Sequence, residues 1–141
     1  MATIFTRIIE GELPGRFVWR DDRAVAFLSI NPLRPGHTLV VPIQEIDHWI
    51  DLDPDLVAHL TDVARTVGRA LHDAFGTAKV ALIALGLEVP HTHLHLVPIE
   101  SEADVHFERA ERDPDPAALD DAAERIRQAL RAAGGTGVTA G

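Results

Sequence analysis

The sequence contains no cysteine, and this absence excludes several classes of protein at once. Disulfide-stapled scaffolds, cysteine nucleophiles and thiolate-ligated zinc or iron–sulfur sites all require that residue. The chain also has no apolar run near the roughly 20 residues that a membrane-spanning helix needs. Its first residues lack the apolar core of a signal peptide. These absences predict a cytoplasmic protein that does not enter a membrane.

Basic residues are few. There are 13 Lys and Arg against 22 Asp and Glu, which gives a net charge of −9. General nucleic-acid binders carry a basic surface that displaces counterions from phosphates, so we expect no such partner. Much of the acidity lies between Glu100 and Glu124. We interpret that segment as solvated surface, and the alternative is a site that repels polyanions or docks a basic partner.

The remaining composition is ordinary for a globular protein. Hydrophobic residues make up 46% of the 141 positions and charged residues 25%. That length corresponds to one domain, and we assign it to residues 1–133. Residues 134–141 contain four of the ten glycines and are predicted to form a flexible tail.

The hydrophobic pattern predicts an α+β fold. Residues 54–75 form the clearest helix, with Asp53 as its N-cap and Gly76 as its end. Its apolar residues recur at intervals of three and four, so they share one buried face: Leu56, Leu60, Val63, Val67, Leu71 and Ala74. The other predicted elements are helices over 4–9 and 116–133, strands over 17–19, 24–28, 37–41 and 91–97, and a buried strand over 79–85. This order favours a twisted antiparallel sheet with helices on one face.

Three histidines alternate near the end of this pattern, at positions 91, 93 and 95. Alternate residues of a strand lie on the same face, so the imidazoles form a row, while Leu94 and Leu96 point toward the core. Such a row can bind a metal ion. It can also catalyse covalently, because crowded imidazoles depress one another's pKa and keep a nucleophilic nitrogen unprotonated. The residues alone leave both functions open.

The segment HTHLHLVP, residues 91–98, resembles the His-x-His-x-His-x-x motif of the histidine triad (HIT) family of nucleotide-binding proteins. Further similarity lies in the N-terminal segment Ile4–Pro14, in the hairpin that ends with Ile30-Asn31-Pro32, and in Gly36–Pro42. The resemblance covers residues 3–107 and is nearest to a bacterial branch with Gly-Leu-Glu-Val-Pro-His before the motif.

The resemblance implies a HIT-like fold and a homodimer whose sheets join across a two-fold axis. It implies hydrolysis or transfer at the α-phosphorus of a nucleoside phosphoramidate or a related phosphoester or anhydride, with a purine nucleotide favoured and without cofactor or metal. By this resemblance His93 is the nucleophile that forms a nucleotidyl-histidine, and His95 and His91 contact the phosphate or assist the leaving group. The remaining residues that it implicates are Phe5, Phe27 and Ile30 around the base, and His37 in a supporting role behind the triad.

Three departures from the family pattern bear on the ligand. Ser29 stands where many relatives have an acidic residue that binds the ribose hydroxyls, so it offers an uncharged partner. Glu88 lies in a segment where many relatives have Gln and Ser, and we expect it to have a role at the site. Thr3 and Thr6 stand near the Cys-x-x-Cys that binds structural zinc in some bacterial members, and this excludes a zinc site of that kind.

Two alternative functions remain. The domain can bind a purine nucleotide and act as a non-catalytic sensor or scaffold dimer, although it retains His93. Alternatively, His93, His95 and Glu100 match part of the metal motif of cupins, which are all-β barrels. The other histidines, His48, His59, His72 and His106, are predicted to lie on the surface, and Trp49 is predicted to be a core or interface aromatic.

Overall fold

The computed structural model describes residues 2–140, in which five antiparallel strands form one sheet. The strands are β1 (Phe17–Arg20), β2 (Ala24–Leu28), β3 (Thr38–Pro42), β4 (Lys79–Ile83) and β5 (Leu94–Ile99). Their order across the sheet is β1-β2-β3-β5-β4. Hairpins join the first three strands, and β5 inserts between β3 and β4. The predicted α+β fold with an antiparallel sheet is confirmed.

Two long helices, α2 (Pro54–Phe75) and α3 (Pro116–Ala132), cover one face of the sheet. Their apolar residues pack with one side of the strands into the main core, where Leu60, Leu71 and Ile126 are at most 2% exposed. Gly76 ends α2 at φ 64°, in the left-handed conformation that glycine adopts without strain. Asp53 precedes α2 as predicted, but its carboxylate makes no capping hydrogen bond. Within residues 2–140, no helix combines the length and apolar character needed to cross a membrane.

The predicted helix over 4–9 is present as α1 (Ile4–Ile9), but it lies on the opposite face of the sheet, whereas the sequence predicted all helices on one face. Its Phe5 and Ile9 pack with alternate residues of β2 and β3, including Val25 and Phe27. All five residues of β2 are buried, because their side chains alternate between two apolar layers. The sheet is therefore covered on both faces, and the second layer carries the N-terminal segment.

The strand predicted over 79–85 differs from the structure in length and in burial. It ends at Ile83 and forms an edge of the sheet, paired only with β5 among the described residues. Leu82 is 55% exposed and Leu85 53% exposed. An apolar run is typical of a buried strand. Here, however, the run leaves apolar surface uncovered at the edge of a single chain.

Residues 137–139 run along β1, at the other edge of the sheet, where the sequence predicted a flexible tail. Val138 pairs with Trp19, and the Arg20 N–H donates to the Gly137 carbonyl at 2.8 Å. The Thr139 hydroxyl donates to the Phe17 carbonyl at 2.6 Å. A Cβ on Gly137 would lie 2.4 Å from Cε2 of Trp19, so only glycine fits against that ring. Residues 137–139 thus pair with the sheet in the structure, the flexibility predicted for residues 134–141 stays a prediction, and Gly141 lies outside the described residues.

Candidate active site

The histidine row lies at the junction between the 84–93 segment and β5. The strand begins at Leu94, three residues later than predicted, so His91 and His93 precede its regular pairing. Thr92 anchors this approach, because both its N–H and its hydroxyl donate to the Ile46 carbonyl, at 2.7 and 2.8 Å. Leu94 packs against the main core, and the rings of His93 and His95 lie 4.9 Å apart. The predicted alternation therefore holds although the first two histidines lie outside the strand.

His93 is held with one ring nitrogen as a donor. Its Nδ1 lies 2.7 Å from the His91 carbonyl oxygen, which can only accept, so Nδ1 carries the proton and Nε2 does not. The residue is 7% exposed, and the Phe5 ring packs edge-on against it with centroids 4.8 Å apart. Burial lowers the pKa of His93, although the carbonyl hydrogen bond and the charge of Glu88 oppose that shift. The imidazole is therefore neutral at neutral pH, with an unprotonated Nε2.

His37 orients His95. The Leu33 N–H donates to Nδ1 of His37 at 3.0 Å, so the proton of His37 lies on Nε2. That Nε2 is 3.0 Å from Nδ1 of His95, which must accept, and the proton of His95 therefore lies on its own Nε2. Burial lowers the pKa of His37 to about 3 and that of His95 to about 4, and mutual repulsion among the imidazoles adds to both shifts.

His91 is fully buried, at 0% exposure. Its Nε2 donates to the Pro42 carbonyl at 2.8 Å, and its Nδ1 lies 2.7 Å from the Thr3 hydroxyl. Burial lowers the pKa of His91, opposed by the hydrogen bond to Pro42 and by the charge of Glu45. Both ring nitrogens have protein partners, so this geometry differs from the expectation that His91 contacts a phosphate.

Two of the predicted base-pocket residues lie beside the triad. Phe5 and Phe27 are 8% and 3% exposed, and their rings meet edge-on with centroids 5.6 Å apart. Phe5 also packs against His91, with centroids 5.9 Å apart. The structure thus brings together an aromatic pair and the histidine row.

The other three predicted ligand residues lie at the periphery. The Ser29 hydroxyl accepts from the Asn31 N–H at 3.2 Å, and the Ser29 N–H donates to the His37 carbonyl at 3.0 Å. Ile30 is 65% exposed, and Glu88 is exposed on the segment before the triad. Ser29 is thereby tied to the strand that carries His37. Glu88 acts on His93 through its charge.

Phe107 is a site residue that the sequence analysis missed. Its ring packs edge-on against His95 with centroids 5.0 Å apart, and it is 36% exposed. It lies in a 3-10 turn, Phe107–Arg109, of the acidic segment. Asp104 holds this segment by accepting from the Glu100 and Ser101 N–H groups and by pairing with Arg34 at 3.2 Å. In the sequence, Phe107 is an aromatic residue among charged neighbours. A segment that is only solvated surface has no need of such a residue, and this could have indicated a contact.

The geometry separates Glu100 from the triad. Its carboxylate accepts from the Ala78 N–H at the start of β4, whereas His93 and His95 lie at the opposite end of β5. Across residues 2–140, no group of three or more His, Cys, Asp or Glu residues is arranged to hold a metal ion. The five-stranded antiparallel sheet with two long helices also differs from the all-β barrel of a cupin.

The predicted surface positions of the remaining histidines are confirmed for three of the four. His48, His72 and His106 are exposed as predicted. Trp49 is 47% exposed, so it is not a core residue, and its predicted place in an interface stays a prediction. His59 is half-buried, with its Nε2 2.8 Å from an Asp21 carboxylate oxygen. These two residues line a cavity of about 510 Å³ between α2 and the C-terminal segment, away from the triad.

Known proteins resemble this chain both in sequence and in fold. Residues 10–102 match the HIT domain family. An uncharacterized HIT-like protein of Saccharolobus solfataricus is 34% identical over 70% of this chain and 75% of its own length. The adenylylsulfatase HINT3 of Arabidopsis thaliana is 30% identical over 67% of this chain and 51% of its own length. A crystal structure of a zinc-bound histidine triad protein from Mycobacterium smegmatis matches with a TM-score of 0.81 and 26% identity, over 95% of this chain and 96% of that one. The chain belongs to the histidine triad (HIT) family.

Proposed function

We propose that this protein is a nucleotide-binding hydrolase that cleaves nucleoside phosphoramidates, or related phosphoesters and anhydrides, through a covalent nucleotidyl-His93. One observation carries the proposal. The hydrogen bond from Nδ1 of His93 to the His91 carbonyl leaves Nε2 unprotonated. A neutral imidazole nitrogen with its lone pair available is a competent nucleophile toward phosphorus. The relative from Arabidopsis thaliana named as an adenylylsulfatase supports a nucleotide as the substrate.

In the first step, Nε2 of His93 attacks the α-phosphorus of the nucleoside phosphoramidate. A bond from Nε2 to phosphorus forms, the bond from phosphorus to the amine nitrogen breaks, and its electron pair leaves with the amine. The departing amine takes its proton from solvent, while the Nε2–H of His95 donates a hydrogen bond to an oxygen of the transferred phosphoryl group and stabilises its negative charge. The lowered pKa keeps His95 a neutral imidazole, so its Nε2 proton serves as a hydrogen-bond donor and is not transferred.

In the second step, water attacks the phosphorus and the bond to Nε2 of His93 breaks. The attacking water gives its proton to solvent, which replaces the proton that the amine took up in the first step. The nucleoside monophosphate leaves with the water oxygen, and His93 returns to its neutral form. The His37 hydrogen bond keeps the Nε2–H of His95 in one orientation through both steps.

We place the purine base beside Phe5, Phe27 and Ile30. The two rings are nearly buried, so the base packs against their edges and against Ile30, which is 65% exposed. We place Ser29 near the ribose and Glu88 near the phosphate side, where its charge already acts on His93. A purine mononucleotide is thus the product, and we place the reaction in the cytoplasm.

The test is to mix the protein with an adenosine phosphoramidate, follow AMP release, and measure the intact mass after brief incubation. We expect AMP release and a transient mass increase of one adenylyl group. AMP binding without release or adduct would support the alternative, a nucleotide-binding sensor or scaffold, and would overturn the hydrolase proposal.

We further propose that two chains associate through β4. The exposed edge of β4 offers unpaired main-chain groups, which readily pair with another strand. Beside it, Leu82, Val80 and Leu96 line an apolar groove of about 220 Å³ with the adjoining face of α2. A second copy of the same edge and groove would complete a continuous sheet and cover Leu82, which is 55% exposed.

Replacing Leu82 with arginine is expected to convert the dimer into single chains, because the charge would be buried without a partner. Light scattering should give twice the 15.4-kDa chain mass for the wild type and the single mass for the variant. Ile4→Arg is the matched control, since Ile4 is 46% exposed on the other face of the sheet. A wild type that scatters as a single chain would contradict the association.

A further inference from the structure

A run of short hydrogen bonds joins the N-terminal segment to the triad, and the reaction steps above do not use it. Glu45 follows β3, and one oxygen of its carboxylate accepts from the Thr3 N–H at 2.8 Å and from the Thr6 hydroxyl at 2.7 Å. The Thr3 hydroxyl lies 2.7 Å from Nδ1 of His91. These contacts span 42, 39 and 88 residues of sequence, so they connect three distant parts of the chain.

The direction of each hydrogen bond follows from its partners. His91 donates through Nε2 to the Pro42 carbonyl, so its Nδ1 can only accept, and the Thr3 hydroxyl must donate. The Thr3 oxygen in turn accepts from the Thr6 N–H at 3.2 Å. Glu45 accepts from both threonines, and these hydrogen bonds lower the pKa of its carboxyl group. The run is thus fully complementary, from an ionised carboxylate to a neutral imidazole.

Two connections lead from this run to the nucleophile. The first is the main chain of His91, whose carbonyl oxygen accepts from Nδ1 of His93 at 2.7 Å. The second is α1 itself, because Phe5 lies between the two threonines and packs against the His93 ring. A shift of His91 therefore moves the carbonyl oxygen that accepts from His93, and a shift of α1 moves the Phe5 ring that packs against His93.

A zinc ion does not fit this place in the present chain. The zinc-bound neighbour from Mycobacterium smegmatis shows that members of the family can hold the metal. Structural zinc sites use thiolate sulfur, imidazole nitrogen or carboxylate oxygen, and threonine hydroxyls are outside that set. Here both hydroxyls are already hydrogen-bonded, and Nδ1 of His91 is occupied.

We propose that Glu45, Thr3 and Thr6 form a positioning cluster that fixes His91 and, through it, the orientation of His93. This inference rests on the proposed role of His93 as nucleophile. The cluster does not touch the substrate. It holds Nε2 of His93 on the line of attack, and small displacements from such a line are costly to the rate.

The test compares Thr3→Val and Glu45→Ala with the wild type. We expect kcat for the adenosine phosphoramidate to fall about tenfold to a hundredfold, since a misplacement of about 1 Å is enough for such a loss. KM should change much less than kcat, because Phe27 and Ile30 at the base do not contact the cluster. Thr3→Ser keeps the donor and should restore most of kcat. Glu12→Gln is the matched control, since it removes only an exposed ion pair with Arg7 in the same N-terminal segment.

A purely structural role gives a different result. It predicts that both variants lower the melting temperature while kcat per folded molecule stays at the wild-type value, and that outcome would overturn the inference. The ¹⁵N resonances of the His91 ring supply a readout independent of turnover. Thr3→Val should shift the ¹⁵N resonance of His91 Nδ1 toward the frequency of an imidazole nitrogen that accepts no hydrogen bond. This shift is expected even if the wild type proves inactive. An unchanged resonance would overturn the cluster itself.

Discussion

Replacing His93 with alanine is expected to reduce kcat for the adenosine phosphoramidate by about ten-thousand-fold or more, the scale seen when a covalent nucleophile is removed. The variant loses the only imidazole in the triad whose Nε2 is both unprotonated and beside a hydrogen-bond donor, the Nε2–H of His95. No adenylyl adduct should form, and AMP release should fall to the uncatalysed rate. Stopped assays of AMP release together with intact-mass spectrometry measure both effects.

Binding distinguishes loss of the nucleophile from loss of the fold. AMP affinity of His93→Ala, measured by calorimetry, should stay within about tenfold of the wild type, because Phe5 and Phe27 are retained. His72→Ala is the matched control, since His72 is exposed on α2, on the far face of the sheet. Turnover that survives in His93→Ala would show that another group attacks the phosphorus.

Acidification is expected to destabilise the fold steeply, through the His37–His95 pair. Their folded pKa values of about 3 and about 4 lie below the usual histidine value of 6.5, mainly because both residues are buried. Above pH 6.5 neither the folded nor the unfolded state binds these protons, so the pair has no effect on stability. As the pH falls below 6.5, the unfolded chain takes up protons that the folded chain excludes, and the free energy of unfolding decreases. This loss continues until the pH approaches the folded pKa values.

The expected size is about 1.4 kcal/mol per pH unit for each histidine, or roughly 5 kcal/mol for the pair between pH 6.5 and 4.5. Domains of this size are stable by about 5–15 kcal/mol, so the effect is large. Urea unfolding at several pH values measures it. His37→Asn should remove about half of the pH dependence, whereas His48→Asn, at an exposed position, should leave it unchanged. Equal slopes in both variants would contradict the assignment to the pair.

Much of the fold could be predicted from sequence because its signals are local. The period of three and four residues in α2, bounded by Pro54 and Gly76, predicts a helix over 54–75, and the structure has the same bounds. Alternation places the imidazoles of His93 and His95 together whether or not every residue is paired in the strand. Local pattern and backbone geometry suffice for such elements.

What the sequence did not predict depends on contacts between distant residues. The apolar run of β4 is compatible with a central strand or an edge, and only the sheet order decides which. Gly137 packs closely against the Trp19 ring. A glycine-rich sequence alone does not indicate this contact, because the ring comes from a distant part of the chain. The hydrogen bonds of Glu45 to Thr3 and Thr6 join residues about 40 positions apart, and neither residue type is distinctive by itself.

The pairing of residues 137–139 with β1 has a consequence for assembly. A twisted sheet with two open edges can add strands without limit, and such growth leads to fibres. Among the described residues, Val138 and its neighbours lie along one edge of the sheet, which leaves β4 as the open edge through which we propose that two chains pair. An association in which both partners use the same edge is complete after a single step, because each new sheet then ends in two capped strands. In the proposed dimer, the C-terminal segment would thus cover the outer edges of the joined sheet and prevent the addition of further strands.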